Sequence, residues 1–137
     1  IPDNSDSINM STALFFITHD GIASSLLHIG ESILGKPGSN IAYHEVTMDA
    51  SVLDTMKTAE NKIQTLDLDQ GIVFFTDIIG ATPCNIGRQL AEKYDAKMLS
   101  GINLPMVVRL LNYRDLSRED LIEKARDGAR DSIIEMT

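Results

Sequence analysis

His19 ends the apolar run Ala13-Leu14-Phe15-Phe16-Ile17-Thr18 and is followed by Asp20-Gly21, a pair that favours a turn. The imidazole is therefore expected where a buried strand stops and the chain bends toward solvent. A histidine so placed can act as a general base, as a metal ligand, or as a nucleophile that carries a group covalently. The other two histidines, His28 in a helical pattern and His44 within a strand pattern, have no His or Cys partner at a metal-binding spacing, so no metal site is expected. No Gly-x-Ser-x-Gly elbow supports a serine hydrolase, and no Gly-x-Gly-x-x-Gly or Walker loop supports a nucleotide site. A carried phosphoryl group asks for less. It needs one accessible ring nitrogen, a carboxylate to hold the proton on the other, donors for the phosphate oxygens, and no bound cofactor.

A second stretch, Asp77-Ile78-Ile79-Gly80-Ala81-Thr82-Pro83, follows another apolar run and supplies those parts. Asp77 is suited to accept a hydrogen bond from one ring nitrogen, which fixes the tautomer and steadies the ring when it becomes cationic. Thr82-Pro83 has the composition of an N-cap and first helical position, so a helix is expected to aim its N–H groups and positive end into the same crevice. Gly80 and Ala81 keep the approach open, and the Thr82 hydroxyl is a further donor. Taken singly, each has an ordinary structural reading: Asp77 and Gly80 as turn residues, Thr82 as a helix cap, Cys84 as a small apolar filler, Leu104-Pro105-Met106 as helix start and core. Their joint placement is what points to a site.

The elements that would position them alternate between strand and helix. Strands are expected over Ala13–Ile17, Ile41–Val46, Gly71–Thr76 and Ala96–Ser100. Helices are expected over Ile22–Leu34, with Ile22, Leu26, Leu27, Ile29 and Ile33 on its buried face, over Val52–Leu66 after Asp49 or Ser51, and from Thr82 to about Tyr94. A short helix capped by Asn103 and a last one opened by Ser117-x-x-Asp120 complete the pattern. Continuously apolar strands alternating with helices give an α/β fold: a doubly wound, open, mainly parallel sheet with helices on both faces. Ligands of such sheets sit outside the carboxyl ends of the strands where the strand order reverses. If the first and third strands are neighbours, His19 and Asp77 meet there.

The chain of 137 residues suits one domain. Residues 1–10 are polar and read as a disordered tail or expression remnant, and 11–137 as the domain. The formal net charge of −8 argues against nucleic acid as a partner, and the apolar runs are too short to insert in a membrane. A single cysteine, Cys84, and no leader-like start point to the cytoplasm.

Three segments, Phe16-Ile17-Thr18-His19-x-x-x-Ala23, Val73-Phe74-Phe75-Thr76-Asp77-x-x-Gly80-Ala81-Thr82-Pro83-Cys84-Asn85 and Ser100-Gly101-Ile102-Asn103-Leu104-Pro105-Met106, resemble in that order the motifs of the IIA component of the mannose-type (mannose/fructose/sorbose) sugar phosphotransferase system. The similarity covers nearly the whole chain after Met10. It implies a phosphocarrier in which His19 takes a phosphoryl group from the small carrier protein HPr and passes it to a IIB component. It implies Asp77 as the carboxylate that orients the histidine, and Thr82 where the family usually has a phosphate-contacting serine. It also implies a homodimer that exchanges a terminal antiparallel strand, for which Ser132-Ile133-Ile134-Glu135-Met136 is the candidate. Two departures stand out: Asp20 replaces the glycine common after the histidine, and Gly80-Ala81-Thr82-Pro83-Cys84-Asn85 replaces Gly-Gly-Ser-Pro-Phe-Asn. As no IIB or transport segment is seen on this chain, the alternative is a regulatory module of the same fold whose phosphorylation state controls partner binding without sugar transport.

Overall fold

The computed structural model describes residues 11–137; the expected tail, 1–10, lies outside the described residues. The elements run β1 (Ala13–His19), α1 (Ile22–Leu34), β2 (Ile41–Val46), α2 (Val52–Ile63), β3 (Ile72–Phe75), α3 (Thr82–Lys93), β4 (Lys97–Leu99), α4 (Leu104–Asn112) and α5 (Arg118–Asp131). The strands form one sheet in the order β2-β1-β3-β4, and every pairing is parallel. β1 therefore lies between β2 and β3, and the strand order reverses between β1 and β3, which makes the carboxyl ends of those two strands the topological switch point.

Strand residues alternate between two cores. Leu14, Phe16, Val73, Phe75 and Leu99 face the layer of α1, α4 and α5. Ala13, Phe15, Ile17, Ile72 and Phe74 face the layer of α2 and α3. The central pairing is reinforced on both faces by aromatic rings in register: Phe15 meets Phe74 edge-on at 5.8 Å, and Phe16 stacks on Phe75 at 4.8 Å. Each such pair contributes about 0.5–1.5 kcal/mol beyond its buried area. Ser51, Asn103 and Ser117 cap α2, α4 and α5 through the backbone N–H groups of Asp54, Met106 and Asp120. None of the helices among the described residues is long and apolar enough to cross a membrane.

One expectation needs correction. On α1, Ile22, Ile29 and Ile33 are exposed, and the residues fully buried are Ala23 and Gly30. The reason is a close helix contact: a Cβ at Gly30 would lie 2.9 Å from Leu111 Cδ1 and 3.1 Å from Val107 Cγ1, so α1 turns its small residues toward α4 and its isoleucines outward. At the other end, Ser132–Met136 forms no strand in this single chain.

Gly87 sets how closely α3 approaches the sheet. A Cβ there would lie 2.6 Å from Met98 Cε and 2.8 Å from Ile17 Cγ2. Gly87→Ala is expected to destabilise the fold by about 1–3 kcal/mol, because overpacking outweighs the gain in helix propensity. Urea denaturation would measure it, and an unchanged midpoint would show that Met98 and Ile17 move aside freely.

Candidate functional site

β1 carries His19 out of the core: Ala13 through Thr18 are buried, and the His19 side chain is 42% exposed. β3 ends one residue before Thr76, which is still buried, and Asp77 then bends toward β1 with its side chain 15% exposed. Because β1 and β3 are adjacent, the two side chains meet, with His19 Nδ1 2.7 Å from Asp77 Oδ2. The same oxygen accepts the backbone N–H of His19 at 3.1 Å. The other oxygen, Oδ1, accepts from Ile78 N–H at 3.0 Å and from the Thr76 hydroxyl at 3.3 Å.

Four donors on one carboxylate decide its charge. Burial alone would raise the pKa of Asp77, but the bond from the His19 ring, then that from the His19 backbone, hold it below the ordinary carboxylate value. An ionised carboxylate only accepts, so His19 Nδ1 carries a proton, and in the neutral ring Nε2 presents its lone pair. One ring nitrogen is thus tied and the other is free to act as a nucleophile, and the carboxylate is placed to balance the charge that appears if Nε2 forms a bond.

The other residues singled out from the sequence lie on the loop that leaves Asp77. Gly80 takes a left-handed backbone, φ 89°, with open space around it, so conformation rather than crowding requires glycine. The first helical bond of α3 runs from Asn85 N–H to the Ala81 carbonyl at 3.0 Å, which makes Ala81 the N-cap and Thr82 the first helical residue, a one-position correction to the expected cap. No side chain caps α3, and Pro83 has no N–H to satisfy. Thr82 is exposed and its hydroxyl forms no hydrogen bond to His19 or Asp77; Cys84 is buried. Among the described residues there is no cluster of His, Cys, Asp and Glu that could hold a metal ion.

A family model for the PTS system fructose IIA component, a component of the sugar phosphotransferase system, matches residues 13–126. The chain belongs to this family. As a IIA component it is similar to the PTS system mannose-specific EIIAB component of Escherichia coli K12, 26% identical over 127 residues that are 90% of this chain and 39% of that protein. The chain thus spans about two-fifths of the length of the curated relatives it matches. Its fold is that of the mannose/sorbose specific IIA subunit from Enterococcus faecalis, with a TM-score of 0.81 at 16% identity over 93% of this chain and 96% of that one. It is also similar in fold to phosphotransferase system component EIIA from Streptococcus agalactiae, with a TM-score of 0.78 at 22% identity over 90% of this chain and 96% of that one.

Two further residues of this IIA chain also shape the site. Thr18 Oγ1 accepts from Ala23 N–H at 3.1 Å and donates to the His19 carbonyl at 2.8 Å. Glu45, in β2, reaches across to Ser24. Their only sequence signal is polarity near the carboxyl ends of two strands.

Proposed function

We propose that this chain is a phosphocarrier of the sugar phosphotransferase system: His19 accepts a phosphoryl group from phospho-HPr and passes it to a IIB component. The observation that carries the reading is the 2.7 Å contact of His19 Nδ1 with Asp77, which leaves Nε2 as the free nitrogen of a half-exposed ring. Nε2 attacks phosphorus with its lone pair, and the donor's nitrogen–phosphorus bond breaks with its electrons returning to the donor imidazole. The His19 ring becomes cationic while its Nδ1 proton stays directed at ionised Asp77. Transfer to IIB is the same step in reverse, with the acceptor's nitrogen attacking.

In this reading Thr82, Gly80, Ala81 and Pro83 line the approach, and the uncapped amino end of α3 supplies N–H groups toward the phosphate. Membership of the IIA family supports HPr and IIB as partners, 11–137 as one domain, and a cytoplasmic location. A homodimer by strand exchange also fits: a cleft of about 450 Å³ runs between Met98 and Leu99 of edge strand β4 and Arg126 and Arg130 of α5, and Ile134 and Met136 are exposed beyond it.

The test is to incubate the purified chain with phosphoenolpyruvate, enzyme I and HPr. One acid-labile phosphoryl group per chain is expected on His19, discharged when the cognate IIB is added. Absence of label on the wild type overturns the proposal. Label that no IIB removes would identify the regulatory module instead.

A further inference from the structure

The turn that carries His19 opens a helix with no cap of its own. Gly21 is the N-cap of α1, its backbone left-handed at φ 86°, and it has no side chain to offer the first N–H groups. Those groups are satisfied from the sheet. Glu45 Oε2 accepts from the backbone N–H of Ser24 at 2.9 Å and from the Ser24 hydroxyl at 2.7 Å. The Gly21 N–H is also directed at this carboxylate. Glu45 pairs in register with Thr18, whose hydroxyl takes the Ala23 N–H, so two adjacent strand residues grip the start of α1 together. On the opposite side, Asp77 grips His19 itself through both backbone and ring.

We propose that Glu45 is a positioning residue for His19: by tying the turn Gly21–Ser24 to β2, it fixes the imidazole where one oxygen of Asp77 meets both its backbone N–H and its ring N–H. The functional meaning rests on the phosphocarrier reading above. A cap drawn from a helix's own start would travel with the helix, whereas Glu45 belongs to the sheet and holds the turn against it. Only Asp20 and Gly21 separate His19 from α1, so any drift of the helix start is passed directly to the ring. Burial works against the charge on Glu45, but the bonds from Ser24 and Gly21 hold its pKa below the ordinary value, which keeps it an acceptor at neutral pH.

The test compares wild type with Glu45→Ala, Glu45→Gln and Ser24→Ala, using melting curves, the nitrogen NMR signature of the His19 ring, and the rate of labelling by phospho-HPr. Glu45→Ala is expected to mix the ring tautomers and slow labelling on the order of 10- to 100-fold, the scale of a small misplacement of a reacting group. Glu45→Gln, which keeps one carbonyl acceptor for Ser24 N–H, is expected to recover part of both. A folded Glu45→Ala with a wild-type ring signature and a labelling rate within roughly twofold overturns the proposal. Should Glu45→Ala fail to fold, wild-type ring signatures in both Glu45→Gln and Ser24→Ala overturn it. If the wild type takes no label, the phosphocarrier reading fails, and the ring signature alone decides the role of Glu45.

Discussion

Replacing His19 with alanine is expected to abolish acceptance of the phosphoryl group while leaving the fold intact. No other imidazole can stand in. His44 Nδ1 is engaged by Lys62 Nζ at 3.0 Å, and burial followed by the Lys62 charge lowers its pKa. His28 lies exposed on α1, outside the crevice at the strand ends. The fold should survive because the His19 ring is half exposed and packs in neither core, and because Asp77 keeps its bonds from Ile78 and Thr76. Mass spectrometry after incubation with the phosphorylated carrier, paired with a melting curve, measures both parts. Label surviving on folded His19→Ala protein would move the acceptor to another residue.

Asp77→Asn is expected to fold and to lose transfer by about four orders of magnitude, the scale seen when the orienting carboxylate of a catalytic triad becomes an amide. The geometry explains why so conservative a change matters. Asp77 receives two donors on each oxygen. An amide offers one accepting oxygen, and its NH2 must face one of the two pairs. If the NH2 faces His19, the ring must accept at Nδ1 and carry its proton at Nε2, which removes the nucleophilic lone pair. If it faces Ile78, that N–H loses its acceptor, and the ring loses the charge that would balance its cationic form. Single-turnover labelling reads the loss; a rate equal to wild type would make Asp77 merely structural. The same variant carries a stability signature. The folded-state pKa of Asp77 is depressed, so its stabilisation is fully present above the ordinary value of about 3.9 and is lost as pH falls through the lower folded value. Denaturant midpoints from about pH 6 to about pH 2 should fall more steeply for wild type than for Asp77→Asn over that acid window.

Much of the fold is legible in the sequence because local rules and the global architecture agree. The runs Leu14–Ile17 and Val73–Phe75 are apolar at every position, as strands covered on both faces must be, and Ser51, Asn103 and Ser117 each cap the helix that follows them. What is not legible depends on distances between elements. The buried side of α1 follows from how near α4 lies, and Gly30, which permits that approach, looks from the sequence like a weak point in a helix. Periodicity favours the isoleucines because it scores apolarity, not fit. At the site, the adjacency of β1 and β3 had to be assumed before His19 and Asp77 could be placed together, and the sheet order supplies it. The cap of α3 lies one residue before the position composition predicts, because Ala81, with no polar side chain, takes the extended backbone that a threonine would ordinarily claim. Glu45 is not legible because its partners, the Ser24 N–H and hydroxyl, lie on another element, which no spacing rule reaches.

His19 leads into α1, which belongs to one of the two cores, whereas Asp77 leads toward α3, which belongs to the other. The imidazole and its carboxylate thus leave adjacent, paired strands for helices in opposite halves of the molecule, and the side-chain junction between them is made at a single oxygen. A slackening deep in either half, far from solvent and from any partner, would be felt as a lengthening of that one junction.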